Sequence, residues 1–178
     1  MAQITVFDKT FEPYISYQQI EQSVKRIAGQ LEKDLKDKNP LFLVILNGAF
    51  MFAGDLFKNL NFPAEISFIK VASYAGTQST GEIKKLIGIN ENLEGRTVVL
   101  IEDIVDSGNS MEKILEYLAS EKTTEIKIAT LLFKPAAYKK HFEIDYIGFE
   151  IPNDFIVGYG LDYNGQARNF RDIYKIVQ

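Results

Sequence analysis

Apolar residues in this chain follow two different periods. Ile20, Val24, Ile27, Leu31 and Leu35 step along one face at helical spacing. Ser16 followed by Gln19 has the spacing of a capping box, and Ile15 with Ile20 fits a hydrophobic staple around it. Asn39 and Pro40 stop this helix. Residues 41–46 are then apolar without a break, which marks a strand buried on both faces of a parallel sheet. Asn47, Gly48 and Ala49 end it, and a second helix is expected over 49–59, broken by Asn61 and Pro63. Residues 66–72 read as a strand, 73–82 as a polar loop with no apolar anchor beyond Tyr74, and 84–89 as a strand beyond it. A second fully apolar strand covers 97–101. The stretch from Asp106 to Asn109 leads into a helix with Met111, Ile114, Leu115 and Leu118 on one face. Then come a strand at 126–133, a short helix opened by Pro135 and running through Tyr138, and short strands at 146–149 and 155–159. The tail from Leu161 is polar and irregular before a last apolar stretch at 173–177.

Strands alternating with helices imply right-handed βαβ units, hence an α/β fold built on a parallel sheet of about five strands with helices on both faces. There is no internal repeat and no Pro/Gly/Ser-rich linker, so one domain over 1–178 is expected. Such sheets bind ligands outside the carboxyl ends of their strands. The polar residues that follow the apolar runs are Asn47 and Gly48, Ser73 and Tyr74, the segment from Glu102 to Ser110, and Lys134. These should gather at one edge of the sheet.

Composition narrows the chemistry. With 20 Lys and Arg against 24 Asp and Glu, the net charge of −4 argues against a broad basic face for nucleic acid. The absence of cysteine excludes disulfides, thiolate-bound zinc, iron–sulfur clusters and thiol nucleophiles. The single histidine, His141, follows Lys139 and Lys140 in a basic stretch that reads as solvated surface. No apolar run reaches the ~18 residues of a membrane span, and no signal pattern opens the chain, so the cytoplasm is the expected compartment.

The segment that carries chemistry runs from Val98 to Ser110. Glu102, Asp103 and Asp106 crowd carboxylates just after a buried strand, where like charges repel. Two escapes are available, a raised pKa on one member or a bound cation; among cations Mg²⁺ fits best, because it takes one or two carboxylates and completes its shell with water and substrate oxygens. Ser107, Gly108, Asn109 and Ser110 are small or hydroxyl-bearing and open a helix, whose unpaired N–H groups and dipole suit a phosphate. A cation site and a phosphate site thus lie side by side. No GxxxxGK[ST] motif occurs, which argues against a P-loop ATPase.

Four apolar residues, two acids, two apolar residues and then Asp106-Ser107-Gly108-Asn109-Ser110 closely resemble the phosphoribosyl-pyrophosphate (PRPP) motif of type I phosphoribosyltransferases. Ser73-Tyr74 followed by residues 78–82 resembles the mobile loop of the hypoxanthine/guanine members. Leu131 to Lys134 resembles their purine-contacting strand, and residues 148–164 resemble their C-terminal signature. The resemblance implies that fold, with a small hood from about 1–15 and 150–178, and transfer of a phosphoribosyl group from PRPP to a 6-oxopurine with release of pyrophosphate. It implies Mg²⁺ as cofactor, held by Glu102, Asp103 and Asp162, the first two also holding the ribose hydroxyls. By the same resemblance, Asp106 would handle the purine N7 proton and Ser107 to Ser110 would take the 5′-phosphate. Asn47, Gly48 and Arg168 would contact pyrophosphate. Lys134 would donate to the purine O6, Phe155 would stack on the base, Ile156 would read it through its backbone, and Ser73 and Tyr74 would close over the site. A homodimer or homotetramer is implied as well.

Two positions depart from the family pattern. Asn47 and Asn109 stand where lysines are frequent, so anion binding should lean more on backbone N–H groups, Mg²⁺ and Arg168. Alternatives remain open at this point: a transferase preferring xanthine, or a PRPP-binding regulatory protein without catalysis. The presence of both Asp106 and Lys134 argues against the second.

Overall fold

The computed structural model describes residues 2–72, 84–87 and 89–177. In chain order the elements are β1 (Ile4–Val6), β2 (Lys9–Ile15), α1 (Tyr17–Leu35), β3 (Leu41–Ile45), α2 (Phe50–Lys58), β4 (Glu65–Ala72), β5 (Lys84–Ile87), β6 (Thr97–Val105), α3 (Asn109–Ser120), β7 (Glu125–Phe133), β8 (Tyr146–Glu150), β9 (Ile156–Val157) and β10 (Ile173–Ile176).

The main sheet has the order β5-β4-β3-β6-β7-β8. Strands β4, β3, β6, β7 and β8 run parallel, and β5 joins the edge antiparallel to β4. The chain moves outward from β3 to β4 and then returns to the other side of β3 as β6. The order therefore reverses between β3 and β6, where open α/β sheets carry their binding crevice.

Every residue of β3 is buried, as its unbroken apolar run requires. Phe42 and Val44 pack under α1 and α2 on one face. Leu41, Leu43 and Ile45 pack toward α3 on the other. Helix α1 presents Ile20, Val24, Ile27, Leu31 and Leu35 to the core, and both bonds of the Ser16–Gln19 capping box are formed.

A second, antiparallel sheet has the order β1-β2-β10-β9 and joins the two ends of the chain. Val6, Phe11, Val157, Ala167 and Tyr174 form its own small core. The β1–β2 hairpin lies in a stretch where the apolar pattern gave no strand: β1 has only three residues, and Pro13 sits inside β2. Pairing with β10 holds it in place.

Three expected boundaries shift for physical reasons. Strand β6 continues past Ile101 to Val105, because its backbone stays paired with β7 as far as Val105 opposite Phe133. The acids therefore sit on the strand's end rather than beyond it. The short helix expected from Pro135 does not form; a single turn closes by bonds from Ala137 and Tyr138 to the Lys134 carbonyl. Tyr138 then packs edge-on against Phe133 and Phe142, and its hydroxyl donates to the Phe142 carbonyl. Strand β9 is cut to Ile156–Val157, because Gly158, Tyr159 and Gly160 all have positive φ.

Candidate active site

The crevice is built from the carboxyl ends of β3, β6 and β7. At the end of β6 each acid folds onto the next backbone amide. Asp103 N–H donates to Glu102 Oε1 at 3.2 Å, and Ile104 N–H donates to Asp103 Oδ1 at 2.9 Å. Burial pushes Glu102 well above the ordinary carboxylate range, and the adjacent Asp103 pushes it further. Burial also raises Asp103, against the pull of its bond with Glu102, nearby backbone amides and the charge of Arg168.

This donor set bears on the expected Mg²⁺. Among the described residues neither Glu102 nor Asp103 forms an ion pair, and no group of three or more acidic or histidine side chains could cage a metal. Two adjacent carboxylates fit a hard cation that draws the rest of its shell from water and substrate. Asp162, expected as a third ligand, is engaged elsewhere. Its Oδ1 pairs with Arg168 at 2.6 Å and its Oδ2 accepts from Gly165 N–H at 2.7 Å.

Beyond Val105 the chain turns through residues 106–108 into α3. Gly108 has φ +82° and serves as the helix N-cap. A Cβ there would meet the Lys140 stem and the Tyr138 ring. The turn lines a cavity of about 240 Å³ with Glu102, Asp106 and the residues 107–111 around it. Ser107 Oγ accepts from Asn109 N–H at 3.5 Å, and the first amides of α3 lack partners within the helix. Lys140, read from sequence as solvated, is half-buried over this turn and pairs with Glu112 at 2.6 Å. His141 is exposed, as expected.

Lys134 directly follows β7 and lies next to Asp106. Its Nζ lies 3.2 Å from Asp106 Oδ2, and its own N–H donates to the Val105 carbonyl at 3.0 Å. The lysine side chain is 9% exposed and the aspartate 51%, so a buried cation holds a carboxylate that still faces solvent.

At the end of β3 the Leu46–Asn47 peptide is cis, and Leu46 N–H donates to the Ile69 carbonyl at 2.9 Å. Gly48 is wedged in place: a Cβ on it would overlap the Asp103 carboxylate, and a Cβ on Gly160 would overlap the Gly48 carbonyl. Arg168 is tied to the same turn, donating to the Gly160 carbonyl at 2.7 Å. The structure therefore brings Gly48, Asp103 and, through Gly160, Arg168 to one point. Asn47 is exposed beside them.

Phe155 precedes β9 and is 43% exposed, with Tyr163 edge-on at 5.8 Å and Phe11 at 6.2 Å. Ile156 is buried and its side chain belongs to the main core. Ser73 and Tyr74 lie outside the described residues. Sequence reasoning missed Tyr159, Gly160 and Asp55. The first two sat inside the C-terminal signature as a glycine-flanked aromatic; Asp55 carried no signal beyond a charge on a helix.

The comparisons with known proteins agree with this geometry. A family model described as the phosphoribosyl transferase domain matches residues 14–164. The hypoxanthine-guanine phosphoribosyltransferase of Streptococcus pyogenes serotype M3 is 41% identical over 155 residues, covering 86% of this chain and 84% of that protein. The enzyme of the same name from Bacillus subtilis is 40% identical over 156 residues, 87% of each chain. Among solved structures, a hypoxanthine phosphoribosyltransferase from Staphylococcus aureus superposes with a TM-score of 0.88 at 37% identity, covering 93% of this chain and 91% of that one. A strand-order reversal at β3 and β6, an acid pair running into a small-residue helix start, and these relatives lead to one conclusion: the chain belongs to the phosphoribosyltransferase family.

Proposed function

We propose that this protein is a purine-salvage enzyme that transfers the 5-phosphoribosyl group of PRPP to hypoxanthine or guanine, giving IMP or GMP and pyrophosphate. The cytoplasm is its proposed compartment and a homodimer or homotetramer its proposed assembly. The relatives of that name support the substrate class.

The observation that carries the reading is the contact between Lys134 and Asp106, 3.2 Å apart at the crevice. O6 and N7 are neighbours on one edge of a 6-oxopurine. A lysine ammonium only donates and a carboxylate only accepts, so the pair matches a carbonyl beside an N–H. An amino group at C6 would place donors against a donor.

In the reaction the purine N9 forms a bond to the anomeric carbon while the bond to pyrophosphate breaks, its electrons leaving with the phosphate oxygen. The N7 proton passes to the Asp106 carboxylate. General acid–base help of this kind is typically worth ~10²–10⁴ in rate. Ser107, Gly108, Asn109, Ser110 and the start of α3 hold the 5′-phosphate. Arg168 and the backbone of Asn47 and Gly48 take pyrophosphate. Phe155 offers its face to the base, and Ile156 offers its backbone. Glu102 and Asp103 would hold Mg²⁺, which supplies positive charge against the ribose hydroxyls and the pyrophosphate oxygens.

An assay with PRPP, Mg²⁺ and hypoxanthine or guanine tests this. Nucleotide formation is expected, and no turnover with either base would refute the reading.

A further inference from the structure

Among the described residues Tyr159 is the largest fully buried side chain, and nothing in the proposed chemistry uses it. Its hydroxyl donates to Asp55 Oδ2 at 2.7 Å. Asp55 lies on α2, the helix that starts directly after Asn47 and Gly48, and is also paired with Lys58 at 2.5 Å. One hydrogen bond thus ties the C-terminal turn to the helix behind the β3 loop.

The backbone around Tyr159 turns this tie into a clamp. Gly158, Tyr159 and Gly160 have φ values of +96°, +48° and +100°. Tyrosine rarely adopts such a conformation, and surrounding contacts must hold it there. Its neighbour Gly160 rests so closely on the Gly48 carbonyl that no side chain fits between them. Gly160 also exchanges two bonds with Arg168: its N–H donates to the Arg168 carbonyl at 3.0 Å, and its carbonyl accepts from the Arg168 guanidinium at 2.7 Å. Gly48 also abuts the Asp103 carboxylate. Fixing the Tyr159 ring therefore fixes the turn that sets both Arg168 and the Gly48 backbone.

We infer that Tyr159 and Asp55 are positioning residues for the pyrophosphate moiety of PRPP, acting through Gly160 on Arg168 and the Asn47–Gly48 backbone. The inference rests on the reading that this loop and Arg168 receive pyrophosphate. The need is greater here because Asn47 brings no charge: backbone donors reward placement far more than a flexible lysine does. Burial pushes the Tyr159 hydroxyl far above its ordinary range, with the bond to Asp55 adding to it, so it stays a donor throughout the working pH range.

The test compares wild type, Tyr159→Phe, Asp55→Asn and Asp55→Leu, with PRPP affinity measured by calorimetry in Mg²⁺ alongside steady-state kinetics. Tyr159→Phe removes one oxygen, and Asp55→Leu removes the acceptor. Each should weaken PRPP affinity about tenfold, the scale of one hydrogen bond to a charged group. Asp55→Asn keeps an acceptor and should lose about threefold or less. The KM for the purine should stay unchanged in all three. Should Tyr159→Phe fail to fold, the contrast between the two Asp55 variants carries the test. A lowered melting temperature with unchanged PRPP affinity would overturn the inference, as would equal losses in Asp55→Asn and Asp55→Leu. Wild-type turnover, recorded alongside, reports on the proposed reaction itself, so failure of that reading is seen separately.

Discussion

Lys134 and Asp106 meet across the ends of two adjacent parallel strands, a buried ammonium 3.2 Å from a half-exposed carboxylate. Their sequence separation of 28 residues is bridged by the β6–β7 pairing, which sets Val105 beside Phe133. The contact is therefore a product of sheet register, and its two members are predicted to fail in different ways.

Asp106→Asn keeps shape and removes the proton acceptor. It should lower kcat by about 100-fold or more with the fold intact, measured by steady-state kinetics and circular dichroism. Lys134→Ala should cost about 10- to 100-fold in kcat/KM for the purine, the scale of a charge-assisted hydrogen bond, while PRPP affinity stays nearly unchanged. Joint loss of purine use and PRPP binding in Lys134→Ala would mean that the lysine is structural.

Gly48→Ala puts a methyl into the Asp103 carboxylate. Overpacking of this kind costs about 1–3 kcal/mol, and here either the acid or the loop must move. A lower unfolding free energy and a raised KM for PRPP are expected together. Gly54→Ala on α2 is the control, since a Cβ there meets nothing within 4 Å.

Asp55 should show in the acid limb of stability. Burial alone would raise its pKa, but the bonds from Lys58 and Tyr159 outweigh that and hold it below the ordinary aspartate range. A carboxylate lowered in the folded state stabilises it above the unfolded pKa of about 3.9, and the contribution is lost as pH falls through the folded value. Urea midpoints of wild type and Asp55→Asn should therefore differ most near neutral pH and converge below about pH 3.9. A difference that stays constant down to pH 2 would contradict this.

Removing divalent cations with EDTA should weaken PRPP binding strongly. Glu102 and Asp103 then face the substrate's phosphates with no cation between them, and Asn47 and Asn109 supply no positive charge. Unchanged affinity in EDTA, read by calorimetry, would count against a metal held by these acids.

Much of this arrangement was legible in the chain itself. The unbroken apolar runs of β3 and β6 announced a doubly covered parallel sheet, because only strands buried on both faces dispense with alternation. The acids and small residues after Ile101 were visible because their chemistry is local: neighbours in sequence are neighbours in space at a strand-to-helix turn. The β1–β2 hairpin was not visible, since its stability comes from β10, more than 150 residues away along the chain. Nor was the role of Gly160, whose need for a missing side chain arises only when Gly48 is brought against it. Asp162 illustrates the same limit: its motif marks an acid, but only the fold shows both oxygens taken by Arg168 and Gly165.

The most direct measurement gives the protein PRPP, Mg²⁺ and, in separate reactions, hypoxanthine, guanine, xanthine and adenine, and follows nucleotide and pyrophosphate together. The account predicts equal amounts of both products with hypoxanthine or guanine and none with adenine, whose 6-amino group opposes Lys134. Turnover with adenine, or its absence with both hypoxanthine and guanine, would contradict it.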